Sequence, residues 1–528
     1  MPKKEKLYDN THSTSNSTQL AILKKHFPNC FDKEGNFMSH KMEEIVGEAG
    51  LELSKESYAL NWLGKSYARL LANENPRTLL KEDKVHNTKE AHEKSENLLI
   101  KGDNLEVLKH LSNAYSESIK MIYIDPPYNT GGDGFVYNDD RKFTVGELSR
   151  LAGIDEDEAG RILEFTSSKS NSHSAWLTFM YPRLYVAREL LREDGVIFIS
   201  IDENEYNQLK LLCNEIFGEE NSVGDFIWKN KHGGGGDSPH IVAENEYILV
   251  YAKQINNLQP FFGDASPDYE KLFRYKDERG KYYLDRLDKK GIDANRPNLI
   301  YPIECPDGTL KDISPAIWRL SKKELERRKQ MNLVEFKKDK NDEWQIYTKM
   351  YLYDENGEKR KVKPRAILKQ ELVGFTQNGN KEIVELFSFK AFQNPKPIAL
   401  LKYLMSIGLG QSDLILDFFA GSGTTAHAVM ALNAEDGGKR KFITVQIPEK
   451  TDEKSEAYKA GYNSIFDITK ARIEKASEKL GDKSGFKIFE TTPVFEGYMD
   501  DIAELGDNTQ LFNGSDLSED ELETLLVT

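Results

Sequence analysis

Short apolar runs alternate with longer amphipathic stretches along most of the chain. A continuous apolar run bounded by polar or turn residues predicts a buried strand, whereas apolar residues spaced three and four apart predict a helix. The predicted strands are 97–103, 121–124, 196–201, 221–231, 247–252, 414–416 and 441–448, and the predicted helices are 42–53, 55–72, 105–111, 176–191, 398–406 and 462–479. This alternation favours an α/β fold built on a largely parallel sheet.

One predicted strand, 121–124, ends in a proline turn made of Asp125, Pro126, Pro127 and Tyr128. Both prolines fix φ and lack an N–H, and Pro126 also restricts Asp125, so the turn is stiff. The Asp125 carboxylate and the Pro126 carbonyl are then two acceptors that the exocyclic amine of a base can bridge. Tyr128 offers a ring for stacking, worth roughly 1–3 kcal/mol per base. The alternative is a plain strand-terminating turn.

A second turn, rich in glycine, follows strand 414–416. Its residues are Asp417, Phe419, Ala420, Gly421, Ser422 and Gly423, and a helix of small residues begins near Thr424. Glycines before a helix N-terminus let backbone amides approach a ligand closely. Gly421, Gly423 and Ala426 also fit the dinucleotide fingerprint G-x-G-x-x-A, but the next strand ends near Glu449, beyond the roughly 20-residue spacing of that fingerprint. A plain strand-to-helix turn is the third alternative.

Together, the two turns resemble the motifs of the DNA amino-methyltransferases, in which D-P-P-Y holds the target base and F-x-G-x-G holds S-adenosylmethionine. The order here, with the catalytic motif first, is similar to the permuted order of the β-class adenine-N6 enzymes. Longer blocks resemble the modification (Mod) subunits of type III restriction-modification systems: GDNLEVL at 102–108, YIDPPYNTGGDGFVYND at 123–139, WLTFMYPRL at 176–184, GVIFISIDENE at 195–205 and NPKP at 394–397.

This resemblance implies a Rossmann-like, S-adenosylmethionine-dependent methyltransferase sheet with an inserted target-recognition domain. The implied divisions are a mainly helical region (1–96), the catalytic half of the methyltransferase domain (97–252), the target-recognition domain (253–390), the cofactor half (391–485) and an acidic carboxyl-terminal segment (486–528).

The resemblance also implies roles for individual residues. Asp125, Pro126, Pro127 and Tyr128 are expected to be catalytic, and the cofactor is expected to bind Asp103, Lys396, Asp417, Phe419, Ala420, Gly421, Ser422, Gly423, Thr424 and Glu449. Asp103 is expected against the adenine of the cofactor, with a helix N-cap as the alternative. Lys396 is expected at the methionine carboxylate or in solvent, and Glu449 at the ribose hydroxyls. This chemistry requires no metal.

Charge is unevenly distributed along the sequence. The net charge of −15 disfavours DNA binding at first sight, but residues 488–528 hold 11 Asp/Glu and no Lys/Arg, whereas residues 265–370 hold 26 Lys/Arg against 19 Asp/Glu. Phosphate contact is local, so the basic and aromatic middle is compatible with double-stranded DNA as the partner. Either charged region is equally compatible with an ordinary solvated surface.

The expected setting is cytoplasmic, without a membrane. No apolar run approaches the roughly 20 residues that span a bilayer, and the first residues lack an apolar signal core. The cysteines, Cys30, Cys213 and Cys305, are far apart, which disfavours disulfides and a zinc site. His86 and His92 lack metal-ligand spacing and are expected on the solvated surface.

The expected partners come from the resemblance. A homodimer is implied, and because no G-x-x-x-x-G-K-[ST] loop occurs, ATP-driven translocation would need a separate Res subunit. The acidic end is shorter than family members usually have, which puts partner binding in doubt. The alternative functions are a cytosine-N4 DNA methyltransferase, an RNA or protein amino-methyltransferase, and a non-catalytic DNA-specificity subunit.

Overall fold

The structure is a computed structural model that describes residues 23–31, 37–39, 41–42, 60–131, 143–167, 171–231, 233, 240–263, 267–289, 296–314, 316–493 and 524. The chain forms two units, a larger one of residues 1–261 with 365–528 and a smaller one of residues Phe262–Pro364.

The strands, in chain order, are β1 Thr78–Glu82, β2 Leu98–Lys101, β3 Ile119–Ile124, β4 Leu191–Ile201, β5 Ser222–Lys229, β6 Asn245–Ala252, β7 Tyr275–Asp277, β8 Gly280–Arg286, β9 Asp288–Lys289, β10 Ile303–Glu304, β11 Leu310–Lys311, β12 Ile317–Trp318, β13 Val334–Lys338, β14 Trp344–Tyr351, β15 Ile367–Leu368, β16 Leu414–Asp417, β17 Lys441–Gln446 and β18 Lys487–Pro493. Strands β7 to β14 lie in the smaller unit.

The α-helices are Lys65–Asn73, Lys84–Asn87, Asn104–Tyr115, Val145–Ala152, Glu156–Ser167, His173–Leu190, Tyr206–Phe217, Pro267–Glu270, Lys322–Gln330, Gln370–Val373, Thr376–Phe387, Ile398–Gly408, Thr424–Asp436, Glu456–Lys459 and Ile465–Leu480, and short 3₁₀ helices occupy Pro28–Cys30, Glu219–Asn221 and Pro297–Leu299.

The larger unit is built on one mixed sheet of ten strands, in the order β1-β18-β2-β17-β16-β3-β4-β6-β5-β15. Strands β18, β2, β17, β16, β3 and β4 run parallel, and β6 lies antiparallel between β4 and β5. This arrangement confirms the predicted α/β fold.

Strand β3 shows why the sheet has helices on both faces. All six of its residues are buried. Ile122 and Ile124 pack in one apolar cluster with the helices 104–115 and 173–190, whereas Met121 and Tyr123 pack in another with the helices 398–408 and 465–480. Because alternate residues of a strand point to opposite faces, a continuous apolar run is what a sheet covered on both sides requires.

The smaller unit has its own sheet and core. Four antiparallel strands lie in the order β13-β14-β8-β7, and a separate apolar cluster forms around Trp318, Leu325 and Ile346. The unit spans fewer residues than the predicted insert of 253–390. The segment after Pro364 belongs to the larger unit, because β15 pairs with β5 of the large sheet and the helix 376–387 contacts the helix 465–480.

Several predicted boundaries differ from the structure. Strand 97–103 ends at Lys101 because Asp103 caps the next helix, accepting the amide of Leu105 (2.9 Å). Of the predicted helix 55–72, residues 60–64 are not helical. The helix begins at Lys65, because Gly64 has a φ of +99°, which is incompatible with a right-handed helix. Residues 43–59, which include most of the predicted helix 42–53, lie outside the described residues.

Candidate active site

The two turns singled out by the sequence follow the carboxyl ends of neighbouring parallel strands, and we refer to this side of the sheet as its carboxyl edge. β16 pairs in parallel with β3, with Leu416 opposite Ile122, so the proline turn and the glycine turn leave neighbouring strands side by side. β2 and β17 continue the same parallel series, which places Asp103 on this edge as well. Crevices at the carboxyl ends of parallel strands are where ligands bind in open α/β sheets.

The proline turn is fixed by contacts on both sides. The indole N–H of Trp176 donates to the Pro127 carbonyl (2.7 Å). The backbone of Asn129 has a φ of +58°, and its side-chain amide donates to the fully buried carboxylate of Glu205 (2.6 Å). The turn is therefore rigid for reasons beyond its prolines.

The Asp125 carboxylate lies in a half-enclosed cluster with Tyr128, Glu246 and Lys396, which we call the Asp125 cluster. Lys396 Nζ donates to both carboxylate oxygens (2.8 and 2.7 Å), and the Tyr128 hydroxyl donates to Oδ1 (2.8 Å). Lys396 also lies 3.3 Å from Glu246 Oε2 and 2.9 Å from the Tyr128 hydroxyl. The exposed fraction is 29% for the Asp125 side chain and 9% for that of Lys396.

Electrostatics fix the charge of the Asp125 cluster. Burial by itself lowers the pKa of Lys396, but Asp125 and Glu246 outweigh it, and the net effect is a raised pKa. Burial, Asp125 and Glu246 together raise the pKa of Tyr128 well above its ordinary value. Lys396 is thus an ammonium and Tyr128 a neutral donor at neutral pH.

The glycine turn is held closed by its own strand and by its neighbour. Buried Asp417 accepts from the Phe419 amide (3.0 Å) and the Thr425 hydroxyl (2.5 Å). The Gly421 amide donates to Gln446 Oε1 (2.7 Å), and the Ala420 amide to the Val445 carbonyl (3.1 Å). The amides of residues 419–421 are thus bound within the protein, so the expectation of amides directed at a ligand does not hold for them.

A buried arginine supports the glycine turn from behind. Arg472 donates to Ser422 Oγ (2.7 Å) and Thr424 Oγ1 (2.6 Å), and the Thr469 hydroxyl donates to the Gly421 carbonyl (2.6 Å). Burial lowers the pKa of Arg472 to about 10, so it remains charged at neutral pH. The side chains of Ser422 and Thr424 therefore anchor the turn to the helix 465–480.

Asp103 connects three elements of the edge. Its carboxylate caps the helix 104–115 and accepts from Arg183 Nη2 (3.0 Å), and the neighbouring Asn104 side chain donates to the Phe418 carbonyl (2.9 Å). The N-cap alternative is thus observed. The Asp103 side chain is still 41% exposed, so its oxygens can accept a further donor from a ligand.

Comparisons with known proteins agree with this geometry. Residues 119–457 match the family model described as DNA methylase. The chain is 45% identical to the EcoP15I Mod subunit of Escherichia coli and 46% identical to the EcoPI Mod subunit of Escherichia phage P1, in each case over 100% of this chain and 85% of the relative. It is 37% identical to the StyLTI Mod subunit of Salmonella typhimurium over 92% of this chain and 76% of the relative.

The chain belongs to the type III Mod subunits. Its activity is DNA methylation with S-adenosylmethionine as the methyl donor, and the predicted family, enzyme class and cofactor are confirmed.

The site of this Mod chain fits that cofactor. Gly421 and Gly423 have φ values of +52° and +80°, which favour glycine, and a Cβ on Gly423 would lie 3.2 Å from the Thr469 carbonyl oxygen. The close packing of the turn against the helix 465–480 therefore requires glycine at position 423. Half-buried Phe419 and the exposed carboxylate of Asp103 on the same edge suit an aromatic base and its amine or hydroxyl donors.

One predicted cofactor residue of this Mod chain has a partner that was not expected: Lys396 is not in solvent but bound to the proline turn. Glu449 is exposed, three residues beyond the end of β17, and its expected role at the ribose hydroxyls stays a prediction. The expectation of solvated histidines is wrong for His86, which is buried by stacking on His92 (3.9 Å between ring centroids) and by Phe486. Burial lowers its pKa to about 4.

Sequence reasoning missed the residues that hold the Mod site in shape, namely Trp176, Glu205, Glu246, Gln446, Thr469 and Arg472. Trp176 and Glu205 lie in blocks that resemble the family, which was a signal of some structural constraint. The other four are single polar residues within strands or helices, and only the tertiary contacts reveal their roles.

We expect Asp417 to give the protein a stability that falls with rising pH. Burial raises its pKa from 3.8 to about 7, so the folded state binds the proton more tightly than the unfolded chain. This contribution is fully present below pH 3.8 and is lost as the pH rises to 7, a change of roughly 2–4 kcal/mol. Denaturant unfolding of the wild type and Asp417→Asn across this range tests it. The difference in unfolding free energy should decline with pH; a constant difference would contradict the assignment.

Proposed function

We propose that this chain methylates the N6 amine of adenine in a specific double-stranded DNA site, with Asp125, Pro126, Pro127 and Tyr128 as the catalytic turn. The observation that carries the proposal is the parallel pairing of β3 with β16, which sets the Asp125 turn beside the glycine turn. The expected cofactor-binding roles of Asp103, Asp417, 419–424 and Glu449 belong to the same proposal, whereas Lys396 is bound to Asp125.

The residues of the chain contribute position and charge. When bound, S-adenosylmethionine supplies an electrophilic methyl group that needs alignment more than activation. Asp125 and the Pro126 carbonyl accept the two N–H groups of the target amine, which turns the nitrogen lone pair out of conjugation with the ring. Trp176 and Glu205 keep these acceptors in place, and the carboxylate stabilises the positive charge that grows on the nitrogen.

Nucleoside analysis of methylated DNA tests the choice of base. Purified protein, S-adenosylmethionine and DNA of mixed sequence are incubated. The DNA is then digested to nucleosides, which are identified by mass spectrometry. We expect N6-methyladenine at the great majority of modified positions. N4-methylcytosine without N6-methyladenine would replace the proposal with the cytosine-N4 alternative.

The smaller unit, 262–364, is proposed to be the target-recognition domain. Tyr275, Tyr282 and Tyr351 form a row of rings whose centroids are 5.5 and 5.4 Å apart. Lys337 lies over the first ring (4.3 Å) and Lys349 over the second (4.9 Å). Exposed Tyr275 and the Lys337 ammonium over it suit contact with a base and a phosphate, whereas Tyr282 is buried and Lys349 is paired with Asp277.

Excising this unit should separate DNA recognition from cofactor binding. Gly263 and Val362 exchange two backbone hydrogen bonds of 2.9 Å, so a short glycine-containing turn can replace residues 264–361. Each unit has its own apolar core. We expect sequence-specific DNA affinity to fall by about 10³-fold or more, to the non-specific level, with cofactor affinity unchanged. Fluorescence anisotropy and calorimetry measure the two; specific DNA binding by the shortened chain would refute the assignment.

Assembly and setting are proposals too. The relatives are subunits of type III restriction-modification enzymes, which supports assembly of this chain with a further subunit such as Res. A homodimer is proposed from the family resemblance alone. None of the helices in the described residues is long and apolar enough to cross a membrane. We propose a cytoplasmic location. Light scattering of the purified chain, alone and with a candidate ATPase and nuclease subunit, tests the assembly.

A further inference from the structure

One of the two acceptors proposed for the target amine, the Asp125 carboxylate, is already bound by an amine of the protein. Lys396 Nζ donates to both oxygens of Asp125 and lies 2.9 Å from the Tyr128 hydroxyl. An ammonium and an exocyclic amine make the same kind of N–H···O contact with a carboxylate. Oδ1 accepts from both Tyr128 and Lys396, whereas Oδ2 accepts from Lys396 and keeps a second lone pair. A base amine that approaches Asp125 therefore competes with the ammonium for the same carboxylate.

Glu246 provides a second place for the ammonium. Its Oε2 lies 3.3 Å from Lys396 Nζ, and its Oε1 accepts from the Asn230 side chain (2.7 Å), which fixes the carboxylate. The Glu246 side chain is 13% exposed, so little water competes for the contact. A lysine stem is flexible and its three donors rotate freely, so a short movement exchanges one carboxylate for the other.

The charge of the Asp125 cluster suits this exchange. Asp125 and Glu246 carry −2 in total, Lys396 carries +1 and Tyr128 is neutral, which leaves −1 in a poorly solvated site. The target nitrogen becomes positive as its bond to the methyl group forms, and that charge balances the site. Without Lys396 the Tyr128 hydroxyl, with its one proton, would lie between the two carboxylates, and their mutual repulsion would favour uptake of a further proton.

We propose that Lys396 is a positioning residue that stands in for the target amine. In the enzyme without a base it holds the Asp125 carboxylate in its orientation, and on arrival of the base it shifts to Glu246. This inference rests on the proposed role of Asp125. It assigns Lys396 to the base side of the site, in place of the methionine carboxylate.

The test is the pH dependence of methylation in Lys396→Met. Besides Lys396, the titratable groups around Asp125 and Glu246 are Tyr123, Tyr128, Asp202 and Asp417. All of them remain in the variant. We expect the acidic limb of kcat/KM to move upward by about one to three pH units, the usual effect of losing an adjacent opposite charge. Cofactor affinity, measured by calorimetry, should stay unchanged.

Lys402→Met is the matched control. Lys402 lies on the helix Ile398–Gly408, which begins just after Lys396, and pairs at the surface with Glu435. Its variant should keep the wild-type pH profile.

A chemical rescue distinguishes a lost charge from a disturbed fold. Lys396→Cys treated with 2-bromoethylamine regains an ammonium on a side chain of lysine length, and mass spectrometry verifies that position 396 is alkylated and that the buried Cys30, Cys213 and Cys305 are not. We expect the treatment to restore the wild-type profile. Failure of the rescue in a folded, cofactor-binding protein, or an unchanged profile in Lys396→Met, would overturn the inference.

Asp125→Ala separates the inference from the proposed function. If this variant methylates normally, the proposed role of Asp125 fails and the inference fails with it. If Asp125→Ala is inactive while Lys396→Met keeps the wild-type rate and pH profile, only the inference fails.

Discussion

Replacing Asp125 with alanine lowers kcat for methylation by about 10²- to 10³-fold, the loss typical of removing a preorganised charge-stabilising group. The variant loses the acceptor for the target amine and the carboxylate that offsets its growing charge. Lys396 keeps Glu246 as a partner at 3.3 Å, so the variant leaves no buried charge unpaired. Transfer of a tritiated methyl group to DNA measures the rate, and calorimetry and anisotropy measure cofactor and DNA affinity, which should change little.

Asp413→Ala is the control for Asp125→Ala. Asp413 is also an ion-paired aspartate, 2.9 Å from Arg192. It precedes β16 and so lies at the amino-terminal end of that strand, on the side of the sheet away from the two turns. Its loss should leave kcat unchanged. Retained methylation in Asp125→Ala, together with lost DNA binding, would contradict a catalytic role and make Asp125 a DNA contact.

Replacing Gly423 with valine should weaken cofactor binding. Its φ of +80° strains any residue with a Cβ by about 1–3 kcal/mol, and this Cβ would lie 3.2 Å from both Thr469 Cγ2 and the Thr469 carbonyl oxygen. The turn must then move away from the helix 465–480, and the bonds from Arg472 to Ser422 and Thr424 are lost with it. We expect cofactor affinity to fall more than about tenfold, the equivalent of 1.4 kcal/mol.

Gly437→Val separates strain from position. Gly437 ends the same helix, 424–436, with a similar φ of +71°, and a Cβ there would meet no atom within 4 Å. Both variants should be less stable to heat, but only Gly423→Val should lose cofactor affinity in calorimetry. Equal losses in the two variants would mean that the glycine turn has no specific part in binding.

The sequence predicted the parts of this site that depend on local chemistry. A proline turn after a buried strand, and a glycine turn before a helix, have signatures within a few residues, and both lie where the strands end. The adjacency of β3 and β16 was implied by family resemblance, since no local pattern says which strands pair.

The contacts that complete the site join distant parts of the chain. Lys396 bonds to Asp125 across 271 positions and Tyr128 to Glu246 across 118. The sequence therefore placed Lys396 either at a cofactor carboxylate or in solvent, because its two carboxylate partners, Asp125 and Glu246, are far from it in sequence. His86 is buried for the same reason, by Phe486 from 400 positions away.

The most direct measurement of the central claim is a crystal structure of the chain with sinefungin, which carries an amine where the cofactor carries its methyl group. The account predicts that sinefungin binds at the glycine turn, at Gly421 and Gly423, with its amine directed toward the proline turn. A target base amine placed about 3–3.5 Å from the sinefungin amine would then be within hydrogen-bond reach of Asp125. Sinefungin bound elsewhere, with its amine directed away from Asp125, would contradict a single methyl-transfer site formed by the two turns.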